Sequence, residues 1–380
     1  ATALAVGSIA VLAGCGTSGG SSTPTEAVDE LGDYEGEVSI IAWAGYVEDG
    51  SNDPDYDWVS GFEEKTGCQV TSKTFNTSDE AVTLMKTGDY DVVSASGDAS
   101  LRLIAAGDVQ PVNVDLIPSY EGVYDFLKDQ PWNTVDGEHY GVPHGYGANL
   151  LLYNTEVVTP APTSWDVVFD KAGDYSGKIT AYDNPIYIAD AAVYLMTHQP
   201  DLGIENPYAL DETQFQAAVD LLKEQRQHVG EYWSDYLKEI QAFETGDSVA
   251  GTTWQVIQNV LAGGGATTDV VLPDEGATGW SDTWMISSTT EHPNCSYAWL
   301  DWIASPEVNG VATSYFGEAP SSDAACDYRE DCEAYHAGDA DYASQIWYWT
   351  TPIAECLDGR TDVECMDYSA WTEAWSEIKG

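Results

Sequence analysis

The sequence predicts an α/β protein built as two lobes, and three observations carry that prediction. Apolar strands alternate with helical segments between residues 37 and 106, a βαβαβ rhythm that requires parallel strands joined by crossover helices. An extended run punctuated by Gly and Pro at 140–154 (YGVPHGYGANLLLYN) separates this region from a second set of alternating elements. With 380 residues, 43% of them hydrophobic and 12% aromatic, the chain can bury enough apolar surface to fold and is long enough for two cores.

The elements follow in order. Residues 37–43 (EVSIIAW) read as a buried strand, 57–65 as a helix stopped by Gly67, and 69–75 as a second strand. An Asn/Thr/Ser cluster then caps a helix at 79–86, 90–95 (YDVVSA) is a third strand, and 100–106 a short helix. Ligands of such sheets gather at the carboxyl ends of the strands. The run 140–154 is a strand crossing into the second lobe, which shows strands at 178–182, 248–252 and 269–272 and helices at 188–196, 212–227 and 254–261. Residues 285–287 cross back, and 293–303 and 306–313 are helices that each begin with Pro in the first turn. Lobe 1 is therefore assigned to 37–146 and 284–320, and lobe 2 to 147–283 and 321–380.

Charge narrows the function. The chain carries 64 Asp plus Glu against 13 Lys plus Arg, a net charge of −51. So few cations cannot displace counterions from nucleic-acid phosphates, and anionic membranes and phosphate-rich cofactors are excluded as partners on the same ground. Excess solvated carboxylates suit secreted proteins of saline or alkaline habitats, so most of the charge is assigned to the surface, and no Asp is taken as a ligand for its acidity alone.

The amino-terminal stretch 1–14 (ATALAVGSIAVLAG) is apolar but too short for the roughly 20 helical residues of a bilayer span, so it reads as the core of an export signal. Without an initiating Met or a basic leader, the sequence is expected to begin inside that signal. Leu12-Ala13-Gly14-Cys15 resembles the lipobox of bacterial lipoproteins, which implies cleavage before Cys15 and lipidation of its thiol. Residues 15–36 then form a tether, Gly/Ser/Thr-rich at its start, and the membrane is met only through the anchor. The other six Cys, outside the cytosol, read as disulfides, with fifteen connectivities open. The short spacings favour Cys326 with Cys332 and Cys356 with Cys365, leaving Cys68 with Cys295.

No metal or cofactor is expected. The six His form no HExxH or HxH pattern, the Asp-rich loop 49–57 lacks the EF-hand register, and no GxxxxGK[ST] is present. GTSGG at 16–20 fits G-x-S-x-G but lies in the tether with no strand before it. Trp302, Trp371 and Trp375 fall at helical spacing and are assigned to packing.

A set of phrases in fixed order carries a resemblance: the strand leading to Trp43 and Tyr46, FEEKTGCQV at 62–70, YDVVSAS at 90–96, AAGDVQP at 105–111, YGVPHGYGANLLLYN, SWDVV at 164–168, Trp254 after GTT, WSD at 280–282 and the tail WTEAWSEIKG. Over most of residues 37–380 the chain resembles the extracellular solute-binding proteins of ABC importers, in particular the spermidine/putrescine-binding group with the two-lobed type II periplasmic-binding-protein fold. The resemblance implies a non-enzymatic, monomeric clamp that closes on a small organic cation and delivers it to the permease subunits. Such a pocket needs carboxylates for the ammonium ends and aromatic faces for the methylenes. Carried over, Trp43, Tyr46, Ser96, Asp98, Tyr187, Trp254, Trp280, Asp282 and Trp349 line it, with Asp98 and Asp282 as its acids. Ala44 and Gly45 stand where the group carries Ser/Thr and Asp/Glu, Tyr187 where an acid is expected (Asp183 is close by), Ile257 where a polar or acidic residue is expected, and Gly317 at a pocket Tyr, beside Glu318. The box is thus richer in aromatics and poorer in acids. That composition keeps a quaternary ammonium or a sugar as rival ligands, and a glycosidase using Asp98 and Asp282 as the rival from another class.

Overall fold

Val38, Ile40, Ile41 and Ala42 are buried on both faces of β1 (Glu37–Trp43), as expected of a strand inside a sheet. In the computed structural model, which describes residues 27–380, the chain continues through α1 (Val59–Thr66), β2 (Gln69–Phe75), α2 (Ser78–Met85), β3 (Val92–Ala95) and α3 (Gly97–Ala106). The export signal, Cys15 and the tether up to residue 26 lie outside the described residues. β1 pairs in parallel with β2 on one side and β3 on the other, so the βαβαβ unit read from the sequence is present. Local chemistry fixes its helices: the Thr77 side chain accepts the Glu80 amide at the start of α2, and Gly67 follows α1.

A short hairpin, β4 (Thr134–Val135) with β5 (Glu138–His139), leads into β6 (Val142–Ala148) and β7 (Leu150–Asn154). The chain then forms β8 (Ile179–Tyr182), α4 (Ile188–His198), α5 (Glu212–Gln225), β9 (Val229–Trp233), α6 (Tyr236–Glu244), β10 (Ala250–Thr253), α7 (Gln255–Gly263), β11 (Thr268–Val271) and β12 (Ala277–Ile286). It ends with α8 (Pro293–Ala304), α9 (Pro306–Phe316), β13 (Ala319–Pro320), α10 (Ala340–Ala343), β14 (Ile346–Tyr348) and α11 (Tyr368–Lys379). A seven-stranded sheet runs β13-β6-β12-β3-β1-β2 with β14 on β12, and a five-stranded sheet runs β11-β7-β10-β8-β9. The crossing read at 140–154 is real: β6 lies in one sheet, β7 in the other, and Asn149 is the residue between them.

Three expectations are corrected. The sheets are mixed rather than mainly parallel, because in the first β12 pairs antiparallel with β3 and β6, and β6 with β13, while in the second β7 pairs antiparallel with β10 and β11. The return crossing at 285–287 is only the tail of β12, whose Thr278, Ser281, Asp282 and Thr283 hid a fully buried strand. Two stretches assigned to the second lobe, 277–283 and 346–348, pair within the seven-stranded sheet.

Each sheet has its own core. Trp371 and Trp375 of α11 pack with α5 and the second sheet, while Phe62, Trp299 and half-buried Trp302 pack beneath the first. The disulfides are Cys68–Cys295, Cys326–Cys332 and Cys356–Cys365, the pairs that spacing favoured.

Candidate functional site

Strand ends from both sheets converge on one cleft of about 450 Å³. Trp43 ends β1, Ser96 follows β3, Tyr182 ends β8, Trp254 follows β10, Trp349 follows β14, and Trp280 and Asp282 lie mid-strand in β12. Phe75, Asn76 and Phe316 close the cleft on the first lobe, and Ser234, Asp235 and Tyr236 on the second.

Four of the aromatics form a closed circuit. Ring centroids are 5.7 Å apart for Tyr182–Trp254, 5.3 Å for Trp254–Trp280, 6.2 Å for Trp280–Trp349 and 5.6 Å for Trp349–Tyr182, the last pair stacked. Tyr182 and Trp254 come from the five-stranded side, Trp280 and Trp349 from the seven-stranded side. Space for Trp280 is made by its cross-strand neighbour Gly147, where a Cβ would lie 2.3 Å from the indole.

Two carboxylates line this cleft: Asp235 is exposed, whereas Asp282 is only 2% exposed. Its Oδ1 accepts the Ser96 hydroxyl at 2.6 Å and its Oδ2 the Tyr46 hydroxyl at 2.7 Å. Ser96 stands at the N-cap of α3 but makes no cap with its side chain, whose hydroxyl is turned to Asp282 as a hydrogen-bond donor. Tyr46 reaches Asp282 through the turn at Gly45, whose φ of 91° favours glycine and explains why no acid stands there. Behind Tyr46 lies fully buried Glu318, with Oε2 3.2 Å from the Tyr46 hydroxyl and 3.3 Å from Trp280 Nε1.

Tyr46 has one proton to give, so it serves one carboxylate as donor, and the other carboxyl must bring its own. Burial, then the nearby Asp282 charge, push the Glu318 carboxyl well above its ordinary value, so Glu318 is the protonated partner. Burial also raises Asp282, against the lowering by its Ser96 and Tyr46 hydrogen bonds. His144 Nε2 lies 3.6 Å from Glu318 Oε1, but burial lowers its pKa to about 3, so it is neutral and supplies no counter-charge. Among the described residues, Asp282 is thus the one desolvated carboxylate of the cleft, set among aromatic faces, and no described cation pairs with it. That arrangement suits a bound cation.

Six of the nine residues named from sequence meet around the cleft: Trp43, Ser96, Trp254, Trp280, Asp282 and Trp349. Tyr46 stands one layer behind, as a donor to Asp282. Two are corrected. Asp98 is fully buried in the first turn of α3, away from the cleft lining, and accepts the Ser78 hydroxyl at 2.8 Å. Tyr187 points into the second core, where its hydroxyl takes the Gln225 amide at 2.9 Å and its ring meets Trp375 edge-on. Neighbouring Asp183 is paired with Lys379 at 2.6 Å. Tyr182 was missed, although it ends a recognised strand just as Trp43 does. Ser234 to Tyr236 were missed because β9 was not recognised.

Residues 57–337 match the model of the family described as bacterial extracellular solute-binding protein. A putrescine/agmatine-binding protein of Pseudomonas aeruginosa is 24% identical over 294 residues, 71% of this chain and 77% of the relative. A putrescine/cadaverine-binding protein of the same organism is 21% identical over 90% of this chain and 92% of its own length. The spermidine/putrescine transporter substrate-binding protein PotD of Streptococcus pneumoniae superposes with a TM-score of 0.69 at 19% identity, covering 90% of this chain and 97% of PotD. With the family model spanning most of the chain and the two-lobed fold shared, this protein belongs to the bacterial extracellular solute-binding proteins.

Proposed function

We propose that this chain is the receptor of an ABC importer, capturing a small organic cation of the polyamine class between its lobes and presenting it to the permease. The observation that carries the reading is Asp282, a buried carboxylate without a cationic partner among the described residues, facing a cleft walled by Trp43, Tyr182, Trp254, Trp280 and Trp349. An ammonium would replace the missing counter-charge, and the ring faces would cover the methylenes. The printed ligands of the two Pseudomonas relatives support the class. The two sheets act as jaws hinged where the chain passes between them. The protein works as a monomer, performs no chemistry on its ligand, and is held outside the cytoplasm by lipid on Cys15.

The closed circuit of four aromatics favours one second reading, a quaternary ammonium such as choline or betaine held by cation–π contact. Calorimetric titration with putrescine, spermidine, choline and betaine separates the two. Micromolar or tighter binding of a diamine or triamine is expected, preference for choline or betaine would favour the second reading, and no heat with any of the four would overturn both.

A further inference from the structure

Behind the cleft wall, a chain of side-chain hydrogen bonds runs through the crossings between the lobes. Asn149, between β6 and β7, donates its backbone amide to the Thr278 carbonyl at 2.8 Å, which ties the outgoing crossing to the start of β12. Its side chain bonds at both ends: Oδ1 accepts Trp254 Nε1 at 3.0 Å, and Nδ2 donates to Thr278 Oγ1 at 2.6 Å. Thr278 Oγ1 in turn donates to Oδ1 of Asp190, in the first turn of α4, at 3.0 Å. Asn149, Thr278 and Asp190 are all buried.

The direction of this chain is determined. An indole N–H can only donate, so the Asn149 oxygen must face Trp254 and its NH2 must face Thr278. Thr278 accepts that proton and has one of its own left, which goes to Asp190. Burial raises the Asp190 carboxyl to about 8, so near neutral pH the relay ends on a neutral acid and buries no charge.

Trp254 makes one of the two links at which the aromatic circuit passes between lobes, meeting Tyr182 on its own side and Trp280 on the other, while the stacked Tyr182–Trp349 pair makes the second. Its ring packs on Trp233 and Tyr182 of the five-stranded sheet, but its N–H is bonded to a residue of the crossing itself. Building on the cleft reading above, we infer that Asn149, Thr278 and Asp190 are positioning residues that set the orientation of Trp254, so that the geometry of the crossings and the shape of the cleft wall change together. Rotation of the lobes about the crossings moves Asn149 and with it the indole, and a ligand that orders the indole favours one arrangement of the crossings.

The test uses the full chain labelled with 15N at its indoles. The Trp254 resonance is assigned by its loss in Trp254→Phe. Thr278→Val keeps shape, leaves the Trp254 side chain itself unaltered, and removes the middle of the relay. The expected result is a shift of the Trp254 Nε1–H resonance and roughly tenfold faster exchange with solvent, while the core indole of Trp371 is unchanged. An unmoved Trp254 resonance overturns the relay. This arm needs no ligand, so it decides the relay even if the cation reading fails. With putrescine, Thr278→Val is expected to weaken binding roughly tenfold in the native background and to have no effect in Trp254→Phe. Equal weakening in both backgrounds overturns the coupling to Trp254.

Discussion

Asp282 and Glu318 lie on either side of one tyrosine hydroxyl and are expected to behave differently when neutralised. Glu318 is already the protonated acid, so Glu318→Gln preserves the charge of the site and should change cation affinity by less than about threefold in calorimetry. Asp282 carries the charge, and burial raises its pKa in the free protein. A carboxyl raised on folding contributes stability that is complete below its unfolded pKa and lost as pH rises through its folded one. The ligand-free protein should therefore lose stability relative to Asp282→Asn between about pH 4 and about pH 6, which paired thermal melts would record. A cation binds the ionised form, so its affinity should rise over the same interval. Asp282 was legible in the sequence because Trp280-x-Asp282 matches the aromatic-x-Asp pair of the group the chain resembles; the strand that puts both residues on one face was not read. Asp98 and Tyr187 were misplaced because each lies just past a strand end, where a turn of the backbone decides between cleft and core and spacing alone does not.

Among the elements, those with unbroken apolar runs or clear caps were readable, as β1, α2 and the Pro-initiated α8 and α9 show. β9 was not: it is an edge strand with half-exposed side chains and a Gly at its second position, so neither alternation nor burial marks it. β12 was read only at its end, since Thr278, Ser281, Asp282 and Thr283 interrupt the apolar run that marks a buried strand. The disulfide Cys68–Cys295 belongs to this scale, joining the start of β2 to α8 across 227 residues. It lies at the amino end of β2, whereas the cleft opens at the carboxyl end beyond Phe75. Replacing both cysteines with Ser should lower Tm by roughly 5–10 °C, because the unfolded chain regains a long loop, and leave cation affinity unchanged. A parallel loss of affinity would show that the bridge also shapes the cleft.

For the whole molecule, the −51 charge and the binding site are separate matters. Among the described residues the buried acids are Glu48, Asp91, Asp98, Asp190, Glu239, Asp282 and Glu318, a small part of the 64. Salt screens charges that face solvent and acts weakly on buried ones, so added salt should raise Tm substantially while changing cation affinity only modestly. The two-lobed plan was legible because the crossing at 140–154 stands out in composition. The mixed strand directions were not, since local pattern is the same for either orientation of a buried strand. The measurement that bears most directly on cation capture is calorimetric titration of putrescine and spermidine into the native chain and Asp282→Asn, near neutral pH. Capture by the cleft carboxylate predicts at least micromolar binding of one of them to the native chain and a loss of roughly 100-fold in a variant that melts no lower. Native affinity in Asp282→Asn would contradict it.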